Sequence, residues 1–305
     1  MITILGPTAS GKTRLAVSLA IHIDGEIISA DSRQVYRGMN LGTGKDLEEY
    51  TAGGIAVPIH LIDLRDPGYE YNIYEFREDF YRVYPEITGR KKVPVLCGGS
   101  GMYLETVLLG YELPAACRDE QFIRHLDTLT DGALEQLVKS IKPLHNKTDL
   151  EDRGRMIKAI LVARGMETSG LAREPVDQGQ FCDQVFGIRF PRDQQMRMIE
   201  ERLEKRLKAG MADEVKHLLD SGIPAERLIR YGLEYRYITL YLTGQMDYAT
   251  MKRQLNIAIR QFAKRQMTWF RRMERSGVNI QWIDGMESPE EQLGQILQKL
   301  DPGRT

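Results

Sequence analysis

The sequence predicts an α/β fold: a parallel sheet core flanked by helices, with a small all-helical domain inserted into it and a helical C-terminal part. Three observations carry that expectation. The apolar stretch Met1-Ile-Thr-Ile-Leu5 runs straight into Gly6-Pro7-Thr8-Ala9-Ser10-Gly11-Lys12-Thr13, a complete P-loop pattern in the strand-then-helix context it requires. Short apolar runs then alternate with helix-period stretches over roughly the first 110 residues, the pattern of a doubly wound parallel sheet. From about Pro114 to Gln178 the β-branched runs give way to charged helical stretches. A P-loop NTPase-like core is therefore expected over residues 1–113 and 179–305, with 114–178 as the helical insert.

The elements follow in order. Leu15, Leu19 and Ile23, four apart, give the P-loop helix its buried face. Glu26-Ile-Ile-Ser-Ala30 reads as a buried parallel strand and places Asp31 at its carboxyl end, on the rim where open α/β sheets bind ligands. A third strand is expected near Ala56 to Leu64. Asn72-x-x-Glu75 is a capping box that opens a helix carrying Ile73, Phe76, Phe80, Val83 and Ile87 on one face. Val93 to Cys97 is a further strand, running into Gly98-Gly99-Ser100-Gly101 and another helix. After the insert, Gln184 to Phe190 returns to the sheet. One helix is expected from Asp193 to Ser221, closed by Gly222, another over Leu233 to Leu242, and a long one from Asp247 to Arg275, stopped by Gly277.

The 305 residues, 42% hydrophobic and 28% charged, have a formal net charge of -1, an ordinary globular balance. The charge is unevenly placed. Asp46 to Glu86 holds ten acidic residues against three basic, whereas Lys252 to Arg275 holds eight basic and one acidic. Within the latter, Arg253, Arg260, Lys264, Arg271 and Arg275 recur at spacings of seven and four, one stripe of a helix with almost no acidic partner along it. Such a stripe suits the tracking of nucleic-acid phosphates. Cys97, Cys117 and Cys182 are too few and too dispersed for a zinc site or a disulfide framework. With the first strand beginning at residue 1 and no run of ~18 apolar residues, neither a signal peptide nor a membrane span is expected, and a cytoplasmic protein is.

Several blocks together resemble the tRNA dimethylallyltransferases (tRNA isopentenyltransferases): the P-loop, Ile28-Ser-Ala-Asp-Ser-Arg-Gln-Val-Tyr36, Leu41-Gly-Thr-Gly-Lys45, His60-Leu-Ile-Asp63, Gly98-Gly-Ser-Gly-Met-Tyr103 and Arg260-Gln-Phe-Ala-Lys-Arg-Gln-Met-Thr-Trp269. A P-loop alone is shared by many enzymes, but the combination is specific. The resemblance implies transfer of a dimethylallyl group from dimethylallyl diphosphate to N6 of adenosine 37, beside the anticodon of tRNA. It also implies a P-loop that grips the diphosphate and an insert that helps clamp the anticodon arm. The chain is expected to act as a monomer.

That chemistry assigns roles. A poorly nucleophilic exocyclic amine is helped by a carboxylate that accepts its proton, and Asp31 is the candidate. Charge developing on the departing diphosphate must meet groups already in place: the P-loop amides, Lys12 and Mg2+ on Thr13. Ser100, where the family more often has Thr, is a candidate donor to the oxygen between the allyl carbon and phosphorus. Arg230 matches a family-type arginine that closes over the diphosphate; the local sequence Arg230-Tyr-Gly-Leu-Glu-Tyr-Arg236 departs from the usual spacing and leaves Arg236 as the alternative. Asp152-x-x-Arg155-x-x-Lys158, with Arg153 beside it, resembles a tRNA-contacting block with Lys in place of its last Arg. The target adenine is expected to be flipped into a pocket lined by Asp31, Ser32, Arg33 and Gln34, with Ser100, Arg230, Arg260 and Lys264 also on the tRNA side.

Three other readings compete, one of them an RNA-binding protein whose P-loop is a relict. A P-loop kinase would use an acidic residue after an apolar strand, and Asp63 offers one. Prenyl transfer to a free adenine nucleotide would share the loop chemistry and leave the basic stripe and the insert without a task.

Overall fold

The computed structural model describes residues 1–110, 119–141, 150, 153–169 and 184–300, without the side chains of 158, 162 and 166–169. Cys117, Cys182, Asp152 and the Lys158 side chain lie outside the described part. The chain divides into two compact units, 1–109 with 178–305 and 110–177.

In the larger unit β1 (Ile2–Leu5) leads through the P-loop to α1 (Lys12–His22) and β2 (Gly25–Ala30). A 3-10 turn (Leu47–Tyr50), a small antiparallel hairpin of β3 (Thr51–Ala52) and β4 (Ile55–Ala56), and the short β5 (Ile59–His60) follow. Next come α2 (Ile73–Gly89), β6 (Val93–Gly98) and α3 (Gly101–Leu108). The smaller unit contains α4 (Glu120–Thr128), α5 (Asp131–Ile141) and α6 (Arg153–Ser169), packed through Leu126, Leu134, Val138, Met156 and Ile160. The chain then returns with β7 (Gln184–Arg189), α7 (Arg192–Lys208), α8 (Met211–Asp220), α9 (Ala225–Leu228), α10 (Leu233–Leu242), α11 (Tyr248–Arg275), β8 (Ile280–Asp284) and α12 (Pro289–Leu300).

Among the described residues the main sheet has the order β5-β2-β6-β1-β7-β8, with every pairing parallel. β1 lies between β6 and β7 and is buried throughout, which is why its sequence is a continuous apolar run. Neighbouring residues face opposite layers. Leu5, Ile28 and Leu96 pack with Phe76, Phe80 and Phe270, whereas Ile4, Ile27 and Val95 pack with Leu15, Leu19 and Ile296. A third cluster joins α7, α8, α10 and α11 to Val35, Tyr36 and Met39 of the loop after β2. The order of strands puts the carboxyl ends of β1, β6 and β2 side by side, and the site grows from those ends. Among the described residues no helix is long and apolar enough to cross a membrane.

The Asn72–Glu75 capping box forms in both directions, and Gly222 and Gly277 stop their helices at φ +93° and +99°. Two expectations are corrected, and two elements were not foreseen. The strand near Ala56 to Leu64 is reduced to Ile59–His60, because Leu61 and Asp63 adopt φ of +63° and +50°. The helix expected from Asp193 to Ser221 is two helices, broken at Gly210 with φ +96°. β8 and α12 lay beyond the elements that the sequence predicted.

Candidate active site

The P-loop turns on two left-handed residues, Ala9 at φ +61° and Gly11 at +73°, the latter immediately before α1. This geometry presents successive N–H groups and the amino end of a helix to one point, an arrangement suited to anions. Lys12 stands at that point, its Nζ 3.5 Å from the Pro7 carbonyl oxygen. Burial pulls the Lys12 ammonium below the ordinary lysine range, while Cys97 and Asp31 act in the opposite sense. Thr13 is half-buried in the first turn of α1, and the buried Ser10 hydroxyl has no hydrogen-bond partner among the described residues.

The loop after β6 lies between the P-loop and the loop after β2. Ser100 donates its N–H to the Ala30 carbonyl (3.2 Å), and its Oγ accepts the Ser32 N–H (3.0 Å). Asp31 Oδ1 accepts the Arg33 N–H at 2.9 Å, an Asx turn that fixes the plane of the carboxylate. Of the stretch expected to line an acceptor pocket, Asp31, Ser32 and Arg33 are half-buried at the rim. Gln34 instead turns inward, accepting from Ser29 Oγ (3.1 Å) and donating to the Gly44 carbonyl (3.2 Å). Asp63, the acid that a kinase would direct at a metal, is paired with the fully buried Lys45, which also donates to the Tyr36 carbonyl.

The structure brings to the P-loop two cations for which the sequence offered no signal. Arg202 on α7 places Nη1 3.5 Å from Thr8 Oγ1, and Arg206 one turn later pairs with Asp46 at 2.6 Å. With Thr8, Ala9 and Glu234 these guanidiniums line a small cavity against the loop. Burial, aided by Arg206, lowers the Arg202 pKa, and burial raises that of the Glu234 carboxyl. A spacing of four on a helix crowded with charge is common on solvated faces, so nothing local marks these two arginines.

Arg230 is exposed in the turn after α9, and Arg236 is exposed on α10 with its guanidinium 6.0 Å from the Tyr237 ring centre. Neither makes a described contact with the P-loop. In the smaller unit Arg153 is engaged internally, paired with Asp131 at 2.7 Å and donating to the carbonyls of Leu126 and Asp127; Arg155 is exposed. The basic stripe of α11 is less bare than its own sequence suggested. Arg260 pairs with Glu200 at 2.8 Å, and Lys252 with Glu204 at 2.7 Å, both acids supplied by α7. Lys264, Arg253, Arg271 and Arg275 are exposed.

No group of three or more His, Cys, Asp or Glu side chains among the described residues is placed to hold a metal. The half-buried Thr13 hydroxyl beside the P-loop is a single hard oxygen of the kind that Mg2+ takes from a protein when phosphate and water complete its shell. The arrangement as a whole can grip a phosphate ester in the P-loop and set a carboxylate, one strand removed, against whatever reacts with it.

The family model described as IPP transferase matches residues 34–273, and one described as isopentenyl transferase matches residues 1–55. The chain is 50% identical over 300 residues to a tRNA dimethylallyltransferase 2 of Porphyromonas gingivalis, covering 97% of this chain and 98% of the relative. It is similar to the solved tRNA delta(2)-isopentenylpyrophosphate transferase of Staphylococcus epidermidis, with a TM-score of 0.71, 29% identity and 99% and 98% of the two chains covered. A eukaryotic dimethylallyltransferase acting on tRNA shares the fold at a TM-score of 0.80 and 21% identity, over 99% of this chain and 78% of that one. Agreement of this extent, running through the P-loop, the β2 loop and α11 alike, means that the chain belongs to the IPP transferase family.

Proposed function

We propose that the protein transfers a dimethylallyl group from dimethylallyl diphosphate to N6 of adenosine 37 in tRNA, releasing diphosphate. The observation that carries this reading is the bridge from the P-loop side to the carboxylate side. Ser100, on the loop after β6 whose strand lies beside β1, ties that loop to Ser32, next to Asp31.

The P-loop amides and Lys12 hold the diphosphate. Thr13 would hold Mg2+ beside the diphosphate, where the ion would supply further positive charge to the leaving group. The N6 lone pair forms a bond to the allylic C1 as the C1–O bond breaks, its electron pair departing with the diphosphate. Asp31 takes the proton that N6 loses. Among the described residues the one donor contact of the Ser100 hydroxyl is a long 3.4 Å, to Ser32 Oγ, so its proton is available to the bridging oxygen of the substrate. Adenosine 37 reaches Asp31 by leaving its stack, and the exposed cations of α11, with Arg155 of the insert, attract the tRNA backbone. The protein works as a monomer in the cytoplasm, where this substrate is processed.

The test is mass spectrometry of tRNA nucleosides after incubation with the protein, Mg2+ and dimethylallyl diphosphate. An adenosine heavier by one C5H8 unit, absent without the diphosphate, is expected. Unmodified tRNA together with turnover of ATP would overturn the reading.

A further inference from the structure

Two backbone groups at the rim lie outside the sheet pairing: the Thr8 N–H in the P-loop and the Gly99 carbonyl in the loop after β6. One side chain meets both. Gln266 Oε1 accepts the Thr8 N–H at 2.8 Å, and Gln266 Nε2 donates to the Gly99 carbonyl at 2.8 Å. Only one orientation of the amide satisfies both groups.

Gln266 is 7% exposed on the buried face of α11, where the other buried residues are Met251, Leu255, Ala258, Ile259, Ala263, Phe270 and Met273. A primary amide on that apolar row is costly unless both of its ends are bonded, as they are here. The fit is close: a Cβ added at Gly99 would stand 2.5 Å from Gln266 Nε2 and 3.0 Å from the Gly6 carbonyl oxygen. The residue after Gly99 is Ser100, which bonds to Ala30 and Ser32 on either side of Asp31. Two side chains thus link three adjacent strand ends, Gln266 joining β1 to β6 and Ser100 joining β6 to β2.

We propose that Gln266 is a positioning residue that sets the distance between the diphosphate cradle and the Asp31 loop; as a statement about chemistry, this rests on the prenyl-transfer reading above. It is 7% exposed, and its amide is bonded at both ends to backbone, not turned to the rim. It acts through the Thr8 and Gly99 backbones, and reacting groups misplaced by about 1 Å lose on the order of a hundredfold in rate.

The test compares Gln266→Met, which removes both hydrogen bonds, with Gln266→Glu, which keeps an acceptor for Thr8 but turns an oxygen toward the Gly99 carbonyl. Gly99→Ala displaces the amide from the other side. Each is checked for folding by near-ultraviolet circular dichroism. Turnover, KM for tRNA and calorimetric affinity for inorganic diphosphate with Mg2+ are then measured. Gln266→Met and Gly99→Ala are expected to lose about ten- to a hundredfold in kcat with tRNA KM within about twofold, and to bind diphosphate more weakly. Gln266→Glu is expected to lose kcat similarly and to bind diphosphate no more tightly than the Met variant, because its carboxylate sets a negative charge beside the anion cradle.

A folded Met or Ala variant with wild-type kcat and diphosphate affinity, and only a lower melting temperature, would overturn the proposal. If the wild type transfers no prenyl group, the function reading fails, and diphosphate affinity still decides the brace: weakened binding in the Met variant supports it, unchanged binding overturns it.

Discussion

Ser100 Oγ accepts the Ser32 N–H at 3.0 Å, so the loop after β6 is fastened to the loop that presents Asp31. In the proposed mechanism a hydroxyl in this position has two tasks, holding the acceptor loop and facing the leaving group. Ser100→Ala removes both, and kcat is expected to fall about tenfold or more, whereas Ser100→Thr, which keeps the hydroxyl, is expected to recover most of it. Steady-state transfer to tRNA measures both.

Asp31→Asn keeps the size of the side chain and an acceptor for the Arg33 N–H while removing the proposed base. Turnover is expected to drop more than 10²-fold, the usual scale for a lost general base, with tRNA and diphosphate affinity retained. Full activity in this variant would remove Asp31 from the mechanism.

Lys12 titrates below the ordinary lysine value of about 10.4 because burial opposes its charge. An incoming diphosphate favours the charged form and raises that pKa, so binding takes up a proton at those pH values where the free protein has begun to lose it. Affinity for the prenyl diphosphate is therefore expected to fall with rising pH before an ordinary lysine would titrate. Calorimetry in buffers of different ionisation enthalpy should show the proton uptake. Lys12→Ala is expected to abolish both this pH dependence and transfer, leaving tRNA binding largely intact.

Arg202 lies against the P-loop, and Arg230 lies exposed in the turn after α9. Arg202→Ala is expected to raise KM for the prenyl diphosphate about tenfold or more with little change in KM for tRNA, and Arg230→Ala to have the smaller effect on that KM. The opposite ranking would return the role to the arginine that the sequence suggested.

Glu26, near the amino end of β2 and away from the rim, is bonded to Arg90 at 2.7 Å and His60 at 2.6 Å. The Arg90 bond, with a smaller contribution from His60, holds the Glu26 carboxyl below its usual range despite burial. A folded-state pKa depressed in this way gives stability that is present above the unfolded value of about 4.3 and lost as pH falls through the lower folded value. Glu26→Gln is expected to cost about 1–2 kcal/mol near neutrality, a few degrees of melting temperature, and to converge with the wild type in acid.

Much of this was legible because its signals are local. β1, the P-loop, β2 and the Asn72 cap each announce themselves within a dozen residues, and the rim position of Asp31 follows from the end of a buried strand. The break at Gly210 was hidden because Leu207 and Met211 keep a helical spacing of four across it. β8 was hidden because Ile280-Gln-Trp-Ile-Asp284 is a short edge strand separated from its partner, β7, by five helices. Contacts between distant helices were harder still. Neither the approach of Arg202 to Thr8 nor the pairing of Arg260 with Glu200 has any counterpart in local spacing, because tertiary packing alone brings those helices to their partners.

The most direct measurement is a crystal structure with a non-reacting prenyl thiodiphosphate and an anticodon stem-loop bound together. The account predicts the diphosphate in the P-loop, the allylic carbon facing N6 of an extruded adenosine 37, and the Asp31 carboxylate within hydrogen-bond reach of that nitrogen. A prenyl chain remote from Asp31, or nucleoside phosphates in the P-loop instead, would contradict it.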